Sequence, residues 1–426
     1  MRKLFLFLPI FCACASVKAD ALDPLEFAPI GPLNLTAGSY FILTGGTAPQ
    51  LVDSASNVLF TGVFFNQNVP VGSNYWAWDP VVAVFDFDAV AIQSNVTVSA
   101  SGSNTLAMLS RTGFVLNGIV DVSGTNGANG IGSLGGTGDG LGGSGGAGGG
   151  KGGDGGTGSP SGSKGEDGAG PGGGYFGMGA YGGTGGNGSR GNGAGFGGEG
   201  GGGFGGLVPY SDYGDLHYYL QGGAGGGGTG TDFALSKGAG GGGGGGGIEV
   251  GAATALVVNG RILATGGFGG SGGSVLAGGG SGGGIFLHAP LIQFGPGSIL
   301  DASAGNYDGG GGRILILTNS LQGQAAVSTQ VLPGDNYGAS GVVEYGPLTN
   351  QFQVPQLTIS RLNPAEIEVC WPTVTNVTYQ LETNAMLDPN TWGPAGGAVG
   401  GNGQTNCASD AVSPTQRFYR LRVTLN

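Results

Sequence analysis

Glycine dominates one long stretch of this chain and restricts the folds open to it. Of the 103 glycines in 426 residues, 76 lie between residues 121 and 290. A helical fold is excluded there, because each interior glycine costs a helix about 1 kcal/mol relative to alanine. Collagen is excluded as well, since a triple helix needs an unbroken glycine at every third residue and abundant proline, and this stretch holds only four prolines.

The first 19 residues have the pattern of a secretory signal peptide. Arg2 and Lys3 precede an apolar run, residues 4–15, that is too short to span a bilayer. Small residues favour cleavage after Ala19, with Ala15 as the alternative. The sequence therefore predicts export through the general secretory pathway and a secreted or cell-surface location, with no membrane span in the mature chain.

The charge balance limits the partners. The chain has 14 basic and 26 acidic residues and a formal net charge of −12. Nucleic acids and anionic membranes require clustered Lys and Arg. We therefore expect no nucleic-acid partner.

Two cysteines, Cys370 and Cys407, remain after the predicted cleavage. An even pair in an exported protein indicates one disulfide, which would close a loop worth on the order of 3–4 kcal/mol. Two unrelated buried thiols are the alternative.

A strand pattern recurs from about residue 81 onward. Each copy consists of a short apolar strand, a glycine corner, a second apolar strand and then a small residue with glycine. One such copy cannot bury its own apolar face, so copies must stack, as in a parallel β-helix. The copies are residues 114–124, 256–266 and 292–305, and the strands that lead into copies are residues 106–109, 248–250, 285–287 and 313–317.

This pattern predicts an all-β chain with a long insertion. We expect a β cap over residues 20–80, a solenoid over 81–349 and a small β-sandwich over 350–426. The glycine-rich residues 125–247 separate two adjacent copies. They are either a disordered linker or extended chains with the three-residue turn of polyproline II that share backbone hydrogen bonds, because glycine falls at every third position from Gly140 to Gly158.

Segments 82–88, 106–111 and 119–124, together with the glycine run that ends at 285–289, resemble those of exported bacterial glycine-rich proteins. That class is similar to right-handed parallel β-helix, pectin-lyase-like proteins. Segments 370–372, 379–382 and 416–422 resemble an immunoglobulin- or fibronectin-III-like module of secreted proteins in Verrucomicrobia and Planctomycetes. The resemblance implies an architecture and carries little information about activity.

Four residues are candidate binding residues. Asp86 and Asp88 lie two apart, so on a strand they share a face, which suits a paired-carboxylate hydrolase or a calcium site. No Arg or His lies beside them, and a solvated pair explains them equally well. Trp76 and Trp78 also share a strand face that suits stacking on sugar rings, with core packing as the alternative. No catalytic residue and no metal-ligand cluster is predicted.

Three further residues suggest weaker hypotheses. His217 lies in a non-glycine island, residues 210–219, that either binds a ligand or docks the insertion onto the solenoid. His288 lies in a copy strand as a corner or outward-facing residue. Asp154 ends a match to the first six positions of a calcium-binding nonapeptide, but no second copy follows, so calcium is a weak expectation and no other cofactor is expected.

The function that these features favour is an exported, non-enzymatic structural or adhesive protein whose partners are extracellular polysaccharide or cell-surface components. The alternative is a carbohydrate-binding or polysaccharide-degrading β-helix protein, so enzymatic activity stays open. An exposed groove that combined Trp76, Trp78, Asp86 and Asp88 would favour the alternative.

Overall fold

Runs of valine, isoleucine, leucine and phenylalanine, which favour pleated half-buried surfaces, form the strands of this all-β chain. In the computed structural model the chain divides into two units, Met1–Leu348 and Thr349–Asn426, and each is described by itself. No helix among the described residues has the length and apolar character needed to cross a bilayer. The structure describes residues 21–67, 81–130, 140–156, 165–170, 194–196, 214–230, 238–272, 275–306, 308–334, 338–348, 357–363, 365–373, 377–384, 392–402, 404–411 and 417–425.

The predicted signal peptide, residues 1–19, lies outside these described residues. In the described part of the first unit, one short 3-10 helix, Gln324–Ala326, accompanies the strands. The strands are β1 Leu33–Leu35, β2 Gly38–Leu43, β3 Gln50–Asp53, β4 Val58–Thr61, β5 Val63–Asn66, β6 Val81–Phe87, β7 Val90–Ile92, β8 Val96–Ser101, β9 Thr105–Ser110, β10 Gly113–Leu116, β11 Ile119–Asp121, β12 Gly247–Ala252, β13 Ala255–Val258, β14 Arg261–Leu263, β15 Ser271–Gly272, β16 Val275–Leu276, β17 Gly284–Phe294, β18 Ile299–Asp301, β19 Arg313–Gln322, β20 Ser328–Gln330 and β21 Val342–Gly346.

Most strands of the first unit pair in parallel, in three ladders. The first ladder is β1-β7-β10-β13 and then the second halves of β17 and β19. The second is β6-β9-β12, the first halves of β17 and β19, and β21. The third is β2-β8-β11-β14-β18-β20. Along the chain, β9, β10 and β11 visit the second, first and third ladders, and β12, β13 and β14 repeat that order.

The core lies between these ladders and consists of rows of similar side chains. Because the ladders are parallel and in register, equivalent apolar residues of successive strands stack on one another. The main hydrophobic cluster includes a row from each ladder: Leu106, Ile248, Ile285 and Ile314; Phe114, Leu256 and Ile292; and Val98, Val120, Ile262 and Leu300.

Antiparallel strands from residues 50–66 extend the second and third ladders at one end. Strand β3 pairs with both β2 and β4, and β5 pairs with β6. Both large sheets are therefore mixed.

The described glycine-rich segments are packed and hydrogen-bonded to one another, which corresponds to the second of the two alternatives for the insertion. We call the segments 122–130, 140–156, 165–170, 222–230, 238–247, 264–272 and 277–284 the glycine bundle. The segment 238–247 lies at its centre, and its N–H groups point in three directions with a period of three residues. Gly240, Gly243 and Gly246 donate to segment 122–128, Gly241, Gly244 and Gly247 donate to segment 147–153, and Gly242 and Gly245 donate to segment 278–281.

The carbonyl groups of the central segment follow the same rule. Those of residues 239, 242 and 245 accept from segment 223–229, and those of 240 and 243 accept from segment 264–270. A three-residue period with no bond inside the segment is the geometry of polyproline II. Position 243 accepts only glycine, because a Cβ there would overlap the carbonyl oxygen of Ser144.

The second unit contains antiparallel sheets that share a small core. Val369 and Trp371 of one sheet and Tyr379 and Leu381 of another form a buried cluster. The predicted disulfide Cys370–Cys407 is confirmed and links two directly paired strands, Glu366–Pro372 and Thr405–Ala411. The described strands are β22 Thr358–Asn363, β23 Glu366–Pro372, β24 Val377–Asn384, β25 Gly393–Pro394, β26 Val399–Gly400, β27 Thr405–Ala411 and β28 Phe418–Leu425.

Candidate functional site

A buried contact between a histidine and a glutamate lies on the outer face of the second ladder. His288 Nε2 is 2.9 Å from Glu249 Oε1, and both side chains are at most 1 % exposed. Gly251, the register partner of His288 in β12, makes room for the imidazole, because a Cβ at that position would overlap the ring. The same carboxylate oxygen accepts a 2.7 Å hydrogen bond from the backbone N–H of Leu22. The pair therefore ties residues 21–27, which we call the cover segment, to the sheet.

An ion pair between Arg111 and Asp86 lies on the same outer face. Arg111 Nε donates to Asp86 Oδ2 at 3.1 Å, and the guanidinium also donates to the carbonyl of Phe27 in the cover segment. Burial raises the pKa of Asp86 from 3.8 to about 6, against the opposing effect of Arg111. Burial also raises the pKa of Asp23. With Asp86 only 2 % exposed, this carboxylate stabilises the cover segment and is closed to a ligand.

The four candidate binding residues do not form an exposed group among the described residues. Trp76 and Trp78 lie outside those residues. Asp86 is buried near the end of β6, and Asp88 follows that strand and is exposed. The expectation that no basic residue lies beside them is wrong, because the pairing of β6 with β9 brings Arg111 to Asp86 from 25 residues away.

The non-glycine island docks onto the sheet. Leu216 and Leu220 are buried in a cluster with outer-face residues of the second ladder. His217 Nε2 lies 2.8 Å from Glu344 Oε2, and the N–H of Leu220 donates to Gln67 Oε1 at 2.9 Å. Of the two hypotheses for this island, the contacts favour the anchor.

The Asp154 carboxylate serves the glycine bundle. Its Oδ1 accepts hydrogen bonds from the N–H of Gly142 at 2.7 Å and from Lys151 Nζ at 2.8 Å. This oxygen therefore joins the two ends of segment 140–156, and calcium binding at Asp154 stays a prediction.

A regular polar row lies along the edge of the glycine bundle. Asn126 Oδ1 accepts from the N–H of Phe268 at 2.8 Å, and Asn129 Oδ1 accepts from the N–H of Ser271 at 2.9 Å. Ser123 Oγ accepts from the N–H of Thr265 in the same way. All three bonds join residues 142 positions apart, so side chains three residues apart on one segment line up with those on the next.

Two of these pairs, Asn126 with Phe268 and Asn129 with Ser271, border an open depression with a volume of about 480 Å³. Its walls include the two asparagines, Ser271, Asn306 and Phe268, whose side chain is 51 % exposed. The sequence analysis did not predict this depression. The available signal was the constant offset of 142 residues between Ser123, Asn126 and Asn129 and the polar or aromatic residues opposite them.

No protein-family model, no curated protein and no solved structure matches this chain.

Proposed function

We propose that this chain is an exported, non-enzymatic structural or adhesive protein of the cell surface or extracellular space. The glycine bundle is the observation that carries the proposal. Its central backbone groups are paired with neighbouring segments, so it holds an exposed row of polar side chains in fixed register. Buried Asp86 and the buried Glu249–His288 pair, by contrast, hold the cover segment.

The proposed architecture is a right-handed parallel β-helix followed by an immunoglobulin- or fibronectin-III-like module. The order in which the strands visit the three ladders supports the helix. Antiparallel sheets with a common core support the module, which would act as a spacer or attachment unit. We further propose a signal peptide over residues 1–19, on the pattern of Arg2, Lys3 and the apolar run.

Adhesion is tested with beads that carry the purified mature protein. We expect such beads to bind cells of the producing species or their extracellular matrix, and beads that carry the urea-unfolded protein to lose this binding. Equal binding by the folded and the unfolded protein would refute an adhesive surface built by the fold.

The alternative is a carbohydrate-binding or polysaccharide-degrading protein. The exposed ring of Phe268 beside a polar depression favours binding over cleavage, because aromatic faces and amide groups recognise uncharged polar ligands. Release of reducing ends from polysaccharides during incubation with the protein would establish cleavage and overturn the non-enzymatic proposal.

A further inference from the structure

We infer that the depression bordered by Asn126, Asn129, Phe268, Ser271 and Asn306 binds a neutral polysaccharide. This inference rests on the proposed adhesive function and names the ligand class of its surface. The volume of about 480 Å³ and the open shape suit a few sugar rings of a chain that continues past the site.

Two asparagine amide groups bring hydrogen-bond donors to the depression. The Oδ1 atoms of Asn126 and Asn129 are held by backbone N–H groups. The amide planes are therefore set, and each Nδ2 lies on the opposite side from its bound oxygen. Neither Nδ2 donates to another described residue, so each has two N–H bonds to offer. At about 3.1 Å per residue in polyproline II, the two donors are spaced about 9 Å apart along the segment, roughly two pyranose rings in an extended glycan.

Asn306 and an aromatic ring complete the lining. The half-exposed ring of Phe268 offers an apolar face to the C–H side of a sugar ring.

The charge of the lining selects the ligand. The described residues that border the depression are asparagine, glycine, alanine, serine and phenylalanine, none of which is charged. A uronic-acid polymer would have to leave its carboxylates without a basic partner there. A neutral glycan presents only hydroxyl, ether and C–H groups, which match amide donors and an aromatic face.

Affinity gel electrophoresis of the mature protein tests the site. The gels contain hydroxyethylcellulose, xyloglucan or galactomannan as neutral probes and polygalacturonate as the acidic probe. We expect retardation by at least one neutral polymer and none by polygalacturonate. Phe268→Ala and Asn129→Asp should each weaken binding about tenfold, the effect of losing one good contact. Asn129→Asp keeps the acceptor for Ser271 and replaces the Nδ2 donor with a charged carboxylate oxygen that cannot donate.

Leu141→Ala is the matched control, because Leu141 is also 51 % exposed, lies in the glycine bundle and is outside the depression. It should bind like the wild type. Neutral-glycan binding that Phe268→Ala and Asn129→Asp leave intact would overturn the site, while the proposed adhesion would stand. Retardation by polygalacturonate alone, or by no polymer while beads still adhere to cells, would overturn the ligand class. If beads that carry the folded wild-type protein do not adhere to cells or matrix, the proposed function is overturned.

Discussion

Replacing Gly243 with alanine should destabilise the first unit strongly. The added Cβ overlaps the backbone carbonyl of Ser144, so the two segments must separate. Separation strains the bond from Gly243 N–H to Thr125 and the 2.7 Å bond that Gly243 accepts from Gly267. Each buried backbone group left unpaired costs about 1–3 kcal/mol. Alanine restricts the unfolded chain and returns only about 0.4–1 kcal/mol, which leaves a net loss of about 3 kcal/mol.

Urea denaturation followed by far-ultraviolet circular dichroism measures this loss. In thermal denaturation, a large domain loses about 2 °C of melting temperature per kcal/mol, so the melting temperature should fall by about 6 °C. Gly113→Ala is the control, because the nearest atom to its new Cβ is the carbonyl oxygen of Ala255 at an ordinary 3.7 Å. We expect its stability to change by less than about 1 kcal/mol. Equal effects of Gly243→Ala and Gly113→Ala would refute the close packing of the bundle.

Three further perturbations follow from contacts described above. Because burial gives Asp86 a pKa of about 6 against 3.8 in the unfolded chain, folding binds a proton between these values and stability falls as pH rises through them. Asp86 should make the protein about 2 kcal/mol more stable at pH 4.5 than at pH 7, a difference that Asp86→Asn removes in urea titrations. Native protein should resist trypsin after Lys151, whose carbonyl is bonded inside the bundle, as mass spectrometry of the digest will show. Replacing Cys370 and Cys407 with serine should cost the second unit about 4 kcal/mol, because the closed loop spans 37 positions, measured by the fluorescence of buried Trp371.

Each of these expectations has a result that contradicts it. An unchanged pH profile in Asp86→Asn would mean that this carboxylate titrates normally. Rapid cleavage after Lys151, with the unfolded protein cut at the same rate, would mean that the bundle opens freely. Equal urea midpoints with and without the disulfide would mean that it does not restrict the unfolded chain.

The strand pairing could be predicted from the sequence because it depends on a local apolar pattern. Aligning 106–109, 248–250 and 285–287 by their apolar residues gives the register in which β9, β12 and β17 pair. The disulfide could be predicted because only two cysteines follow the predicted signal peptide.

The glycine bundle and its polar row were harder to predict from the sequence. Glycine composition is the same in a linker and in a packed bundle, and the partner of Gly243 is Thr125, more than 100 residues away. Likewise, neither the contact of Arg111 with Asp86 nor that of Asn126 with Phe268 follows from residues close in sequence. Both depend on a register between distant segments, which composition does not encode.

The glycine bundle also changes how the stability of the first unit depends on temperature. The heat capacity of unfolding rises with the apolar surface that is exposed and falls with the polar surface. Unfolding of segment 238–247 exposes almost only peptide groups, since nine of its ten residues are glycine and the other is alanine. Its contribution to the heat-capacity change is therefore small or negative. Compared with a unit of equal length held by an aliphatic core, the first unit has a flatter stability curve and loses less of its stability on cooling.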